Sequence, residues 1–444
     1  PINRTIPNSG SAFLMHNGFD VKIKSQSLYL LLAYGMLGAY MIGPSLSYRV
    51  GIPRIDNPLT LLFILSSCLI FLLESKTFPA KAGKALLALT IMAGWSLLHI
   101  IFSSVSATLF ADLMMFAVLP CYFYILYLII SRAPDQLKFI QRFILFFLAF
   151  ITLPAFIELL TGFQFVYADE AYSVDSGTLK GLFFNPNNLS TTALCLAPAV
   201  LVFFNLLGKS KKEVALGWLL FLLLGLTIFA SVSRTAIVCY LVLLLLYLVY
   251  RNNGLLSIFM LAATALLFSM IPSELIQNFL LSLDSNEFLE RFSSRLYLFL
   301  YDLESDNSVS YRQEIYHYFW NNPPLLYLGY GPKNFREFFG GHISGSLGFG
   351  NPHSFIIELY LGFGIVSLLG FLSYVILYAA TMIGSRRYAS KLRFIALLAM
   401  AIFLIAGFIP STILRLPFIW LPCFLIFLYI VCHPTQPQPD KTNP

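Results

Sequence analysis

The chain has 444 residues, of which 58% are hydrophobic and 11% are charged, and its mean hydropathy is +0.78. Soluble domains carry about 25% charged residues, so this composition excludes a water-soluble protein and also a disordered one. The apolar stretches run unbroken instead of alternating with period two, which argues against a membrane β-barrel. The formal net charge of +7 would suit a nucleic-acid binder, but its distribution along the chain indicates otherwise.

A helix needs about 20 apolar residues to cross the hydrocarbon core of a bilayer. The sequence therefore predicts twelve spans, at 28–44, 58–74, 84–103, 107–131, 138–161, 188–207, 214–230, 234–250, 254–271, 354–382, 391–409 and 415–432. The apolar stretch over 213–250 is too long for one span and is interrupted by Ser231-Val232-Ser233-Arg234. Because an arginine is costly at the bilayer centre, we expect this break to be a turn at a membrane surface. The predicted fold class is an all-α, polytopic membrane protein.

Lysine and arginine are enriched in the short cytoplasmic loops of membrane proteins. With twelve spans both ends of the chain face the same side. If both ends of the chain are cytoplasmic, 18 of the 28 basic residues lie in cytoplasmic segments. Five of the other ten lie in one long loop, to which this rule does not apply. We therefore expect cytoplasmic termini in a multi-pass protein, and much of the net positive charge reflects this orientation.

The predicted spans divide the chain into four parts. These are a membrane domain over 1–271, an outer loop over 272–352 between spans nine and ten, a second membrane domain over 353–432, and a disordered tail over 433–444. A loop of this length without a function is uncommon. It holds nine acidic and five basic residues, so its net negative charge excludes a nucleic-acid surface. Its sequence predicts short helices at 311–320 and 333–339.

No sequence pattern indicates a metal site or a disulfide. The six cysteines all lie within or at the end of apolar segments, and none forms a CxxC pair. We expect them to pack as small apolar side chains. His99, His317 and His342 show no spacing typical of metal ligands. We therefore expect neither a metal nor another cofactor.

Three residues at predicted outer-face positions have the chemistry to bind or activate a substrate. His353 lies directly before span ten, where a helix N-terminus disfavours the protonated imidazole and leaves the ring able to accept a proton. A histidine that caps the helix or fills an interfacial position explains this residue equally well. Arg234, taken alone, is more typical of a snorkelling arginine than of an anion ligand. Arg312, taken alone, is an ordinary surface arginine.

Four segments taken together resemble the bacterial O-antigen ligase/O-antigen polymerase superfamily. They are, in chain order, Gly181-Leu182-Phe183-Phe184-Asn185-Pro186-Asn187-Asn188, then Ser231-Val232-Ser233-Arg234-Thr235-Ala236, then Tyr311-Arg312 with Leu328-Gly329-Tyr330-Gly331, and finally His353-Ser354-Phe355-Ile356-Ile357-Glu358-Leu359 with Gly362-Phe363-Gly364. Each motif alone is weak, whereas the ordered set with this span count and outer loop is specific. The resemblance is strongest over 180–380, and spans one to five show little of it.

This resemblance implies a GT-C-like membrane glycosyltransferase. Its relatives take a glycan from an undecaprenyl-pyrophosphate donor on the periplasmic face of the bacterial inner membrane, without a nucleotide sugar or a metal. Carried to this sequence, the resemblance implies that Arg234 and Arg312 bind the pyrophosphate. It also implies that His353 is the base that activates the acceptor hydroxyl. Direct attack by the acceptor would invert the anomeric configuration.

Further polar residues are candidates for contacts with the donor or the glycan. They are Lys180, Asn187, Asn188, Glu358 and Arg415. A solvated loop charge explains Lys180 slightly better, and capping of span six explains both asparagines better. Asp112 and Glu158 fall inside predicted spans, where a carboxylate is costly and by default indicates a function.

The acceptor distinguishes two reactions, ligation onto lipid A–core and polymerisation of lipid-linked repeat units, and the motifs fit both. Transfer to a protein hydroxyl is a third outcome. A transporter or flippase for lipid-linked glycans is an alternative from a different class. Transporters typically show internal repeats and broken helices near the bilayer midplane, whereas here no repeat is evident and the breaks cluster at the outer surface. The expected partners are the lipid-linked donor, the acceptor and the bilayer, and not nucleic acid.

Overall fold

A computed structural model describes residues 25–74, 78–98, 107–166, 179–251, 272–282, 307–321, 326–331, 353–410 and 416–433, together with positions 290, 293, 297 and 301. Within these residues the chain is helical and contains no strand. The helices are α1 (Ser25–Val50), α2 (Asp56–Leu73), α3 (Ala80–Leu97), α4 (Ala107–Arg132), α5 (Gln136–Thr161), α6 (Pro186–Val200, continued by a π-helix over Leu201–Leu206), α7 (Lys211–Ala230), α8 (Arg234–Arg251), α9 (Ser273–Leu281), α10 (Asn307–Asn321), α11 (Phe355–Gly384), α12 (Ser390–Ala406) and α13 (Leu421–Cys432, preceded by a 3-10 turn over Pro417–Trp420).

The prediction of a polytopic helical membrane protein is confirmed. Among the described residues six helices are long and apolar enough to cross a bilayer, namely α1, α2, α5, α6 with its π-helix, α7 and α11. Shorter apolar helices cover Phe116–Arg132, Arg234–Tyr250 and Pro417–Cys432. Eleven of the twelve predicted spans overlap a helix, and the ninth, 254–271, lies outside the described residues. The total of twelve therefore stays a prediction.

Helix α6 is the centre of the bundle. It packs against α5, α7, α8, α12 and α13, and nearly all its side chains are buried. Its first turns nevertheless carry hydroxyl groups. Ser190 donates to the Asn187 carbonyl oxygen at 3.0 Å, and Thr192 donates to the Asn188 carbonyl oxygen at 2.8 Å. Because these hydroxyls bond to their own helix, they need no partner in the surrounding apolar core.

The predicted span ten is not one continuous helix. Within α11, Gly364 has φ 77° and ψ −171°, which are not helical angles. After this break, α11 packs closely on α3. Ser367 donates to the Met92 carbonyl oxygen at 3.0 Å, and a Cβ on Gly370 would lie 3.0 Å from the Ala88 carbonyl oxygen. Small residues at this contact allow the two helix backbones to approach.

Hydrogen bonds between helix ends define two ends of the bundle. At one, which we call the Gln136 end, Gln136 at the start of α5 bonds His433 at 3.0 Å, and Arg387 after α11 donates to the Ile430 carbonyl oxygen. The start of α5 and the end of α11 therefore meet the end of α13. It follows that the end of α5 and the start of α11 both lie towards the opposite end of the bundle, which we call the His353 end.

The predicted outer loop is described in part. Helix α10 confirms the helix predicted at 311–320 and begins four residues earlier, at Asn307. The predicted helix at 333–339 lies outside the described residues. So does the predicted tail, apart from His433.

Candidate active site at the His353 end

His353 precedes α11, as the sequence predicts. The capping explanation of this histidine is wrong, because the N-cap of α11 is Ser354, whose hydroxyl accepts from the Ile357 amide at 3.5 Å. His353 itself is buried, with 8% of its surface exposed. The helix start is fixed to α12 by a hydrogen bond of 3.0 Å from the Phe355 amide to the Gly407 carbonyl oxygen.

The backbone of His353 adopts a left-handed conformation. Its φ is +48°, a region that non-glycine residues enter at a cost and that often marks functional sites. The Tyr316 hydroxyl holds this conformation by donating to the His353 carbonyl oxygen at 2.8 Å. Burial raises the pKa of Tyr316, so this hydroxyl stays protonated and able to donate.

Arg312 reaches the same place from the outer loop. It lies on α10, one helical turn before Tyr316, and its guanidinium donates to the Ile409 carbonyl oxygen at 3.5 Å. The Tyr316 ring packs edge-on against Phe408 with centroids 6.1 Å apart, and Ile315 packs in a small cluster with Leu361. Arg312 is therefore not an ordinary surface arginine, because its helix is docked on the ends of α11 and α12.

Arg312 and His353 interact electrostatically. Burial, followed by the positive charge of Arg312, lowers the pKa of His353 to about 4. The imidazole is therefore neutral at physiological pH and able to accept a proton. A negative charge bound at Arg312 would cancel part of this effect and raise the pKa of the ring.

A glycine contact holds the loop against the break in α11. Residues 326–331 lie beside Leu361–Ile365, and three hydrogen bonds join them: Tyr330 amide to Leu361 carbonyl at 2.7 Å, Gly331 amide to Gly362 carbonyl at 2.9 Å, and Ile365 amide to Leu326 carbonyl at 3.2 Å. A Cβ on Gly329 would lie 2.6 Å from the Gly364 nitrogen. The motif segments around Gly329 and Gly364 therefore have a structural explanation, because glycine lets the two backbones approach each other. We call the contact between residues 326–331 and 361–365 the glycine clasp.

Arg234 is the first residue of α8, and the break predicted before it is confirmed. Val232 in the turn has φ +55°, and Ser231 and Ser233 are buried. Tyr240, six residues after Arg234 on α8, stacks on Phe221 of α7 with centroids 4.6 Å apart. This contact holds the two helices together beside the turn. The α7–α8 hairpin thus places the half-buried Arg234 at a rigid corner.

The segment before α6 corrects two sequence interpretations. Lys180 is not a solvated loop charge, since only 3% of it is exposed. It lies beside the buried Glu158 of α5, whose carboxylate accepts from the Lys180 amide at 3.1 Å and from the Gly181 amide. Glu158 therefore anchors this segment. The cap of α6 is Asn185, which accepts from the Asn188 amide at 2.8 Å, so the capping roles expected for Asn187 and Asn188 are wrong.

The remaining candidates are unevenly described. Glu358 is 1% exposed in the first turn of α11. Arg415 and the Asp112 side chain lie outside the described residues. Among the residues that are described, no three His, Cys, Asp or Glu side chains cluster as a metal site would require.

Sequence reasoning missed two groups. Tyr316 follows Arg312 by four residues, a spacing that places both on one helix face and could have indicated a shared contact. Arg54 forms a two-point contact with the fully buried Asp56, at 2.8 and 2.5 Å, and lies 5.9 Å from the ring of Phe184. In the sequence, Asp56 follows Arg54 by two residues, and this spacing could have indicated an ion pair.

Comparison with known proteins identifies the region that carries this geometry. Residues 218–372 match the family model described as O-antigen ligase. No curated protein matches the chain. The match covers less than half of the chain, but it includes Arg234, Arg312 and His353. It confirms the resemblance to the O-antigen ligase/polymerase superfamily and supports a ligase or polymerase role in polysaccharide biosynthesis.

Proposed function

We propose that this protein is a membrane-embedded glycosyltransferase. It moves a glycan from an undecaprenyl-pyrophosphate donor to an acceptor hydroxyl on the outer face of the bacterial inner membrane. The observation that carries the proposal is the docking of α10, which holds Arg312 next to a buried, neutral His353. The reaction is either ligation onto lipid A–core or polymerisation of lipid-linked repeat units.

The arginines bind the leaving group in this mechanism. Breaking the bond between the sugar C1 and the pyrophosphate oxygen leaves negative charge on the pyrophosphate. Guanidinium groups match phosphate oxygens with two parallel hydrogen bonds. Arg312 on the docked loop helix and Arg234 at the rigid α7–α8 corner supply two such groups from separate elements, and the low dielectric near the bilayer strengthens their effect.

His353 acts as the general base. The acceptor oxygen forms a bond to C1 while its proton passes to the imidazole and undecaprenyl pyrophosphate departs, so the anomeric configuration inverts. A positioned base typically contributes about 10²–10⁴-fold to such a step. The bound pyrophosphate offsets the charge of Arg312 and raises the pKa of His353. The ring therefore becomes a stronger base when the donor is present.

Other candidates take supporting positions in this proposal. Lys180, in the segment before α6, and Asn187 and Asn188, in its first turn, would contact the donor or glycan. Glu358, one turn into α11, and Arg415 are further contacts. All five stay proposals, and Arg234, Arg312 and His353 carry the chemistry.

The break in α11 bears on the alternative of a transporter or flippase. Broken helices in transporters leave backbone groups open to bind substrate. In this chain the groups freed at Gly364 are occupied by loop residues 326–331, which favours an enzyme. Transfer to a protein hydroxyl would use the same donor chemistry and differs only in the acceptor.

The test uses purified protein in nanodiscs with its lipid-linked oligosaccharide as the sole glycan. A ladder of longer lipid-linked chains establishes a polymerase. A shifted band that forms only after lipid A–core is added establishes a ligase. The His353→Asn variant, whose side chain tolerates the left-handed backbone, should be inactive in both arms. Absence of product in both arms for the unmodified protein would overturn the proposal and favour the transporter.

A further inference from the structure

A cavity of about 560 Å³ opens at the Gln136 end of the bundle. It is lined by the α4–α5 turn, the segment after α6, the α11–α12 turn and the end of α13. After the break at Gly364, residues 365–384 of α11 run as one helix to this end. At 1.5 Å per residue they place the cavity roughly 30 Å from the break and from the loop residues that contact it. The cavity is therefore distinct from the candidate active site, and its volume is in the range of small-ligand sites.

The cavity carries an excess of positive charge. Lys209, Arg387 and His433 line it, and Asp135 is its acidic residue. Asp135 is engaged by Lys138, whose ammonium lies 3.5 Å from the carboxylate and whose amide donates to it at 3.0 Å. After burial, the charges of Arg387 and then Lys209 lower the pKa of His433, so both cations lie near this ring. Asp135 also interacts electrostatically with Lys209, so one carboxylate faces two cations, and an anion entering the cavity would meet a net positive charge.

Aromatic side chains complete the cavity wall. The Tyr429 ring stacks on His433 with centroids 4.8 Å apart, and Tyr388 lies 6.4 Å from Tyr429. The Arg387 guanidinium lies 5.1 Å from the Tyr388 ring, which orients it. Tyrosines at the ends of membrane helices are typical of the headgroup layer of a bilayer. Basic pockets between helices at that depth bind acidic lipid headgroups.

Apolar surface lies next to this cavity. A second cavity, of about 530 Å³, flanks the same α4–α5 turn and shares Ala133, Pro134 and Asp135 with the first. Its other walls include Leu30, Tyr34 and Phe139. A soluble phosphate would make no contact with this apolar surface, whereas the acyl chain of a lipid could pack against it while the headgroup occupies the first cavity.

We infer that the cavity at the Gln136 end binds the phosphate headgroup of an anionic phospholipid, with Lys209 and Arg387 as its ligands. The lipid ties together the turn between α6 and α7 and the turn between α11 and α12. This site is independent of the proposed glycan transfer, and it would exist in a transporter as well.

The test is a titration of delipidated protein with phosphatidylglycerol, followed by native mass spectrometry. The double variant Lys209→Ala/Arg387→Ala should weaken phosphatidylglycerol binding about twenty-fivefold, at roughly fivefold for each basic residue. The matched control, Lys212→Ala/Arg386→Ala, removes two neighbouring exposed cations that do not line the cavity and should leave binding unchanged. Lys209→Arg/Arg387→Lys keeps the charges and should bind within a few-fold of the unmodified protein, which separates loss of charge from loss of fold.

Two further arms identify the source of the phosphate. Phosphatidylcholine, which has no net charge, should bind no better to the unmodified protein than to the double variant. Inorganic phosphate should not displace phosphatidylglycerol. Equal phosphatidylglycerol binding by the double variant and the control would overturn the site. Displacement by inorganic phosphate would overturn its assignment to lipid.

Discussion

The glycine clasp gives the sharpest prediction, because the space around it is defined by backbone atoms. In the Gly364→Ala variant, the new Cβ would overlap the Tyr327 carbonyl oxygen and stand 2.7 Å from the Gly329 nitrogen. Neither atom can move without displacing residues 326–331. Alanine at φ 77° and ψ −171° adds its own cost of about 1–3 kcal/mol, since these angles lie in a region that is essentially restricted to glycine.

The expected magnitude follows from the contacts that would be lost. Three hydrogen bonds join the loop to α11, and each contributes about 0.5–1.5 kcal/mol. With the backbone cost, the clasp should weaken by about 3–7 kcal/mol. Because every 1.4 kcal/mol is tenfold, local opening should become at least about a hundredfold more frequent.

Hydrogen–deuterium exchange of the Tyr330, Gly331 and Ile365 amides measures this opening directly. The matched control is Gly94→Ala on α3, where a new Cβ meets no atom within 4 Å. Exchange should accelerate in Gly364→Ala only, and glycan transfer should fall with it because α10 and Arg312 depend on the docked loop. Unchanged exchange at the three amides in Gly364→Ala would refute the clasp.

The remaining predictions concern the candidate active site. Arg312→Ala and Arg234→Ala should each abolish transfer at normal membrane expression while Arg386→Ala keeps it, and a turnover assay with near-normal rates for either variant would remove that arginine from the site. The pKa of His353, lowered to about 4 by burial and by Arg312, predicts that kcat/KM is flat near neutral pH and falls only as the pH drops towards 4. In Arg312→Gln the pKa of His353, followed through its imidazole NMR signals, should rise part of the way towards the usual value of about 6.5, since a repelling charge is gone while burial remains; a pKa that does not move would show that the two residues do not interact. Chelators should leave transfer intact, and dependence on added divalent metal in the same assay would contradict an arginine-based mechanism.

Most helices could be predicted because a bilayer leaves the backbone few alternatives. Long apolar stretches must satisfy their amides internally, so they form helices wherever they occur. The turn before Arg234 could also be predicted from the sequence, since a charged residue interrupts an apolar run there. The cap of α6 was also available, because Pro186 at the first helical position points to Asn185 as the cap.

The remaining features depend on contacts between distant parts of the chain. The break at Gly364 lies in an apolar run whose hydropathy predicts one span, and the backbone groups around it bond to loop residues more than thirty positions earlier. Lys180 is buried because Glu158, on another helix, binds the backbone beside it. The proximity of Arg312 to His353 depends on how α10 docks. The motifs identified the residues, and only the fold shows what brings them together.

The hydroxyl pattern of α6 has a consequence for how the protein is made. In chain order, α6 precedes α7, α8, α12 and α13, which later enclose it. During synthesis it must reside in lipid before these neighbours exist. Because Ser190 and Thr192 bond to carbonyl oxygens of their own helix, two of the three hydroxyls in these turns are already satisfied when α6 meets the acyl chains, and Thr191 is the exception. The same bonds that satisfy these hydroxyls in the finished bundle therefore lower the cost of inserting α6 before the helices that later enclose it.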